Sequence, residues 1–163
     1  MLQRVQTIYL TLAFICIVLL LQFSVFTVSS TVNDITTTYD FNAYGFQSDS
    51  SVSSTPFYLL YIFMALFSFV GILLYKNRNK QIKVVRLGLI VHILVAVGFL
   101  AFSLFGKQAL LDKISKTVLG DVDLKFGFGI GYYLLFISIA FIFLAIRGIR
   151  ADEKLVKSLD RLR

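Results

Sequence analysis

The sequence predicts an all-α integral membrane protein, an antiparallel four-transmembrane-helix bundle with a small extracytoplasmic cap that has room for a short β-sheet. Three observations predict it. The chain has 163 residues, 58% hydrophobic and 15% charged, with a mean hydropathy of +0.83, whereas soluble domains run at about 45–50% apolar and about 25% charged. Four apolar runs each approach or exceed the ~20 residues that cross a ~30 Å hydrocarbon core. The basic residues, finally, are spread very unevenly among the segments that join those runs. One proline, no tryptophan and 17 phenylalanines suit long uninterrupted helices whose flanks dissolve in lipid. A single membrane domain over 1–163 is expected.

The first helix is expected over about 5–28, because no charge interrupts the run between Arg4 and Asp34 and ~24 residues at ~1.5 Å each cross the core with some tilt. A cleaved signal peptide is the competing reading, but its apolar region would be about 7–15 residues long and followed by a small-x-small site. Cys16, the single cysteine, has no internal disulfide partner, and Ile15 before it does not fit a lipoprotein signal, so packing is its expected role. The segment 29–56 is polar, carries Asp34, Asp40 and Asp49 and has no Lys or Arg. Its part from Val32 to Phe46 is β-branched and aromatic in partly alternating order, which favours extended chain, and Gln47 to Ser54 reads as flexible loop.

Thr55 followed by Pro56 is a helix start, cap then first helical residue, and the second helix is expected over 57–75. Tyr58, Tyr61 and Tyr75 lie toward its ends, where a ring with a water-seeking hydroxyl suits a membrane interface. The turn 76–83 and the residues just after it hold Lys76, Arg78, Lys80, Lys83 and Arg86 with no acid among them. The third helix is expected over 84–105, with Arg86 snorkelling at its start and Gly106 ending it. The loop 106–126 mixes charges, and Val122, Leu124 and Phe126 alternate with Asp121, Asp123 and Lys125 as a strand does. Two strand-like segments on the same side suggest a small antiparallel sheet, since a lone strand leaves its backbone unpaired.

The fourth helix is expected over 127–146. Gly127 and Gly131 form a GxxxG pair that permits close helix packing, with a tight crossing inside the bundle as the ordinary use and a homo-oligomer face as the other. The tail 147–163 has Leu155, Leu159 and Leu162 at helical spacing and carries Arg147, Arg150, Lys154, Lys157 and Arg161, so the helix is expected to continue into the cytoplasm. One basic residue at the amino terminus, five in the turn and six in the tail face four in the loop 106–126. Because basic residues in short flanking segments stay in the cytoplasm, both termini and the turn are expected inside and the loops 29–56 and 106–126 outside.

No nucleophile-and-base pair, phosphate-cradling loop or paired carboxylate can be assembled on one side of the membrane, so the expectation is not an enzyme, with no catalytic, cofactor-binding or metal site. The three outer-loop aspartates could bind Ca²⁺, but scattered acids suit a soluble loop equally well. His92, the only histidine, lies well inside the third helix. An intramembrane ionisable group invites a transporter or channel reading, yet no mid-helix Asp or Glu partners it, and a neutral ring hydrogen-bonded between helices is the plainer expectation. The net charge of +7 is better explained by orientation and anionic headgroups than by nucleic acid, because the charges flank apolar helices. The leading expectation is therefore an accessory or scaffold protein that engages a membrane-protein partner and anionic lipid through its helices, basic turn and tail. A small transporter using His92, or an envelope sensor binding a ligand in the cap, are the alternatives.

The opening MLQRVQTIYL, the turn LYKNRNKQIK at Leu74–Lys83 and the closing IRADEKLVKSLDRLR at Ile149–Arg163 resemble an uncharacterised family of small four-helix inner-membrane proteins found in Bacteroidota, a domain of unknown function. The resemblance covers the whole chain. It implies a Gram-negative inner membrane, so that the outer side is the periplasm, and it implies no activity.

Overall fold

The structure, a computed structural model, describes residues 2–32, 35–48, 51–52, 57–114 and 123–160. The chain runs through α1 (Leu2–Leu19), β1 (Phe26–Val32), β2 (Ile35–Asn42), β3 (Gly45–Ser48), β4 (Ser51–Val52), α2 (Phe57–Leu73), a 3₁₀ turn (Leu74–Lys76), α3 (Arg78–Ile114), β5 (Asp123–Phe128) and α4 (Ile130–Asp160). Neighbouring helices pack around a square: α1 on α2, α2 on α3, α3 on α4, and α4 back on α1, the last being the most extensive contact. Among the described residues, three spans are long and apolar enough to cross a membrane, Phe57–Lys76, Arg78–Phe105 and Ile130–Leu155. The apolar helical part of α1, Val5–Leu19, is shorter, below the ~20 residues a full crossing needs.

That shortening corrects the expected helix over 5–28. After Leu19 the chain tightens into a turn, with Leu21 N–H donating to Val18 O at 3.1 Å and Gln22 N–H to Leu19 O at 3.0 Å, and the apolar residues that follow become β1. An apolar run does not by itself distinguish a buried helix from a buried strand. What decides it is pairing: Val25 N–H donates to Phe41 O at 2.8 Å, and Phe26 to Val32 is matched residue by residue with Phe41 to Ile35.

The sheet is antiparallel, in the order β4-β3-β2-β1-β5, with β2, β1 and β5 as its long strands. Part of the segment expected as flexible loop, Gln47 to Ser54, is therefore strand, Gln47 pairing with Asp40 and with Val52. The expected strand before the fourth helix is present as β5, paired with β1 from Phe26↔Phe128 to Thr31↔Asp123; Val122 and Asp121 lie outside the described residues. In this register Phe26, Phe41 and Phe128 share one face of the sheet and Thr27, Asp40 and Gly127 the other, because side chains alternate along a strand. The first face sits on the end of the bundle. Phe26 stacks on Phe41 (centroids 4.5 Å apart, 6° between planes), and Phe41 meets Phe57 edge-on at 5.0 Å. Phe102 and Phe99 of α3 lie against Phe26 at 5.4 and 5.9 Å.

Helix ends also differ from expectation. Helix α3 starts at Arg78 rather than 84, because Asn77 caps it: its side-chain oxygen accepts from Lys80 N–H at 3.3 Å and its carbonyl from Gln81 N–H at 2.9 Å. The basic turn is thus a 3₁₀ turn, one capping residue and the first turns of a helix. Gly106 does not end α3, which reaches Ile114; a helical glycine costs only about 1 kcal/mol against alanine, and the Ala, Leu, Lys and Gln that follow are good helix formers. The GxxxG pair does not make a helix crossing. Gly127 belongs to β5, opposite Thr27. Gly131 stands in the first turn of α4, where its N–H donates to Ser24 O at 2.9 Å, and a Cβ there would lie 2.8 Å from that same oxygen. The small residue is needed for the chain leaving α1 to pass over the start of α4. The tail, as expected, continues α4 without a break to Asp160.

Candidate functional site: the basic end of the bundle

At the end away from the sheet, α1 starts, α2 gives way to α3, and α4 carries its last turns. Lys76, Lys80, Lys83 and Arg86 are exposed there, and so are Arg147, Arg150 and Lys154 of α4. Lys76 Nζ lies 5.9 Å from the centroid of the neighbouring Tyr75 ring. Lys157 lies in α4, its side chain outside the described part, and Arg161 lies beyond the described residues.

Beneath these cations runs a buried polar layer that charge counting does not find. Asp152 is only 5% exposed, and its carboxylate accepts a hydrogen bond from Gln6 Nε2, which also donates to Gly148 O at 3.3 Å. Arg78, half-buried, donates through Nη1 to the Asp152 carbonyl at 3.2 Å. Gln81, also buried, donates to Gly71 O at 2.9 Å. A buried carboxylate is costly unless hydrogen-bonded, so these bonds fix how α1, α3 and α4 meet. Gln6, Gln81 and Asp152 were missed at the sequence level because each reads as the polar edge of an apolar run. The signal was present all the same: Ile142, Ala145, Ile149 and Asp152 fall on one helical stripe, and an acid on the core stripe calls for a donor.

The result is a surface rich in cationic side chains with its backbone fixed from below, an arrangement suited to phosphate or carboxylate groups presented by lipid or by a protein partner. The described residues contain no group of three or more His, Cys, Asp and Glu that could hold a metal ion.

His92 is placed elsewhere, in the middle of the bundle, 0% exposed. Its Nδ1 lies 2.7 Å from Gly88 O; a carbonyl only accepts, so Nδ1 carries the hydrogen and the ring is in that tautomer. The bond stays within α3, one turn back, where an interhelical bond was expected. Nε2 has no partner among the described residues.

A search of curated proteins finds no match to this chain. A family model described as Domain of unknown function (DUF4293) matches residues 2–162, nearly the whole length over which the bundle, its sheet and its basic end are built, and the chain therefore belongs to that family.

Proposed function

We propose that the protein is a non-enzymatic accessory or scaffold subunit of a bacterial inner membrane, in a Bacteroidota cell, lying with both termini and the basic end in the cytoplasm and the sheet in the periplasm. It engages a membrane-protein partner through its apolar flanks and through the basic face, which also rests on anionic headgroups. The observation that carries this reading is the exposed set Lys76, Lys80, Lys83, Arg86, Arg147, Arg150 and Lys154 gathered at one end over the Gln6–Asp152–Arg78 bonds. Cations needed only for orientation require no such fixed platform.

Support for a transporter is weaker, because His92 is closed in on both sides by apolar clusters, one containing Ile17, Met64 and Phe99 and the other Leu10, Val85 and Ile142. For a sensor, the 330 Å³ groove lined by Phe14, Ile17, Val18, Tyr61, Ile62 and Leu66 lies on the α1–α2 flank rather than in the sheet. The docking reading is tested by isolating wild type and a variant with the seven exposed cations changed to glutamine, in mild detergent, with mass spectrometry of what accompanies each. A stoichiometric membrane protein present with wild type and lost from a normally inserted variant is the expected result. Wild type recovered alone would refute the reading.

A further inference from the structure

The apolar interior of the bundle is divided. On each helix the apolar residues of the cluster nearer the sheet stop before those of the cluster nearer the basic end begin: Ile17 and Ala13 on α1, Met64 and the half-buried Ile72 on α2, Ala96 and Val85 on α3, Leu135 and Ile142 on α4. Between them stand Cys16, Ser68, His92 and Ser138, one from each helix and all buried. Ser138 Oγ donates to Leu135 O at 2.7 Å in its own helix. Ser68 Oγ and His92 Nε2 have no partner among the described residues, and the only other described buried side-chain atom in that condition is Tyr61 Oη.

All three are buried positions of α2 and α3. Tyr61, Met64, Ser68 and Gly71 are the buried positions of α2, and Tyr61 and Ser68 are seven residues apart, about 10 Å of helix rise. A Cβ on Gly88 would lie 2.8 Å from Phe67 Cβ, and the Tyr61 ring centroid is 6.5 Å from that of Phe99. His92, one turn from Gly88 toward the sheet, therefore falls in depth between Ser68 and Tyr61. Three buried hydrogen-bonding atoms on α2 and α3 with no partner among the described residues, within one short span of depth, are a site for something that hydrogen-bonds. With one acceptor nitrogen and two hydroxyls, each able to donate and accept, and no charge, the chemistry that fits is small and neutral.

We propose that Ser68, His92 and Tyr61 hold a short thread of ordered water inside the bundle, bonded to Ser68 Oγ, His92 Nε2 and Tyr61 Oη, which joins the two apolar halves through a polar layer. Internal water in this role makes two to four hydrogen bonds to buried groups that otherwise lack them. The site is separate from the basic face and does not depend on the docking reading.

Because His92 is the only histidine, labelling with ¹⁵N-histidine reports on this site alone. In lipid nanodiscs, water-edited NMR is expected to transfer magnetisation from water to the His92 ring, and the transfer is expected to fall several-fold in a Tyr61→Phe/Ser68→Ala variant. A wild-type ring that receives nothing from water would overturn the proposal. Tyr61→Phe gives a second readout by sign: removing a hydroxyl bonded to water lowers Tm, whereas removing one that is dry and unpaired leaves it unchanged or raises it. An unchanged or raised Tm would overturn the proposal independently of the spectra.

Discussion

At the sheet end, Phe26, Phe41, Phe57, Phe99 and Phe102 pack against one another, stacked or edge-on, and the backbone at the α1–β1 and β5–α4 junctions is cross-bonded through Ser24, Val25, Gly129 and Gly131. At the basic end, α1, α3 and α4 are joined by side chains, Gln6 and Arg78 donating to Asp152 and Gly148. Ring packing and backbone pairing depend on shape and tolerate little change in volume. Directed polar bonds depend on partners, and they leave the surrounding cations free to face outward. One end is therefore built as a closure and the other as a platform, and substitutions at the two ends should fail in different ways.

The largest effect is expected from Gly131→Val. Its Cβ meets the Ser24 carbonyl, which is backbone and already bonded to Gly131 N–H, so the junction must shift. A loss above about 4 kcal/mol is expected, seen as failure to recover a monodisperse protein by size-exclusion chromatography. Next is Phe26→Ala, which removes the ring that Phe41, Phe99 and Phe102 share and is expected to cost about 3–5 kcal/mol, measured by thermal unfolding in detergent and little altered by salt.

Gln6→Leu is expected to cost less, about 1.5–3 kcal/mol, the range for a hydrogen bond to a charged group, because it leaves the Asp152 carboxylate buried without its donor. A Gln6→Leu/Asp152→Leu double variant should recover part of the loss, since replacing both partners by apolar groups removes the stranded charge. No recovery would mean that the basic end is closed by packing like the other. The smallest effect on stability is expected from Lys83→Gln with Arg86→Gln: an unchanged melting curve, together with weaker and less steeply salt-dependent retention of anionic lipid, read by native mass spectrometry of the lipid-bound protein.

The contrast between the ends was only half legible in the chain. Composition and run length carried the helices; the capped start read at Thr55-Pro56 lies outside the described residues, and α2 is described from Phe57. Charge distribution marked the basic end, and the alternation around Leu124 and Phe126 marked β5. What failed did so for identifiable reasons. Phe26 and Val28 are apolar in either a helix or a strand, and only the partner strand some fifteen residues later decides between them. Gly106 is a helix stop only where the next residues cannot continue the helix. Gly127 and Gly131 read as a helix-packing pair, but the atoms nearest them, Thr27 Oγ1 and the Ser24 carbonyl, belong to a strand and a junction, which a spacing motif does not specify. At the basic end the surface cations were visible one by one, while Gln6 and Gln81 became meaningful only once Asp152 and Gly71 were beside them.

The two ends are proposed to face different waters, and site-directed thiol labelling in whole cells tests that directly. Cys16 is buried and gives little background, while Thr38 in the sheet and Asn79 at the basic end are exposed. With a maleimide that does not cross the inner membrane, Thr38→Cys is expected to label in intact cells and Asn79→Cys only after lysis. Labelling of Asn79→Cys in intact cells, with Thr38→Cys protected until lysis, would contradict the account.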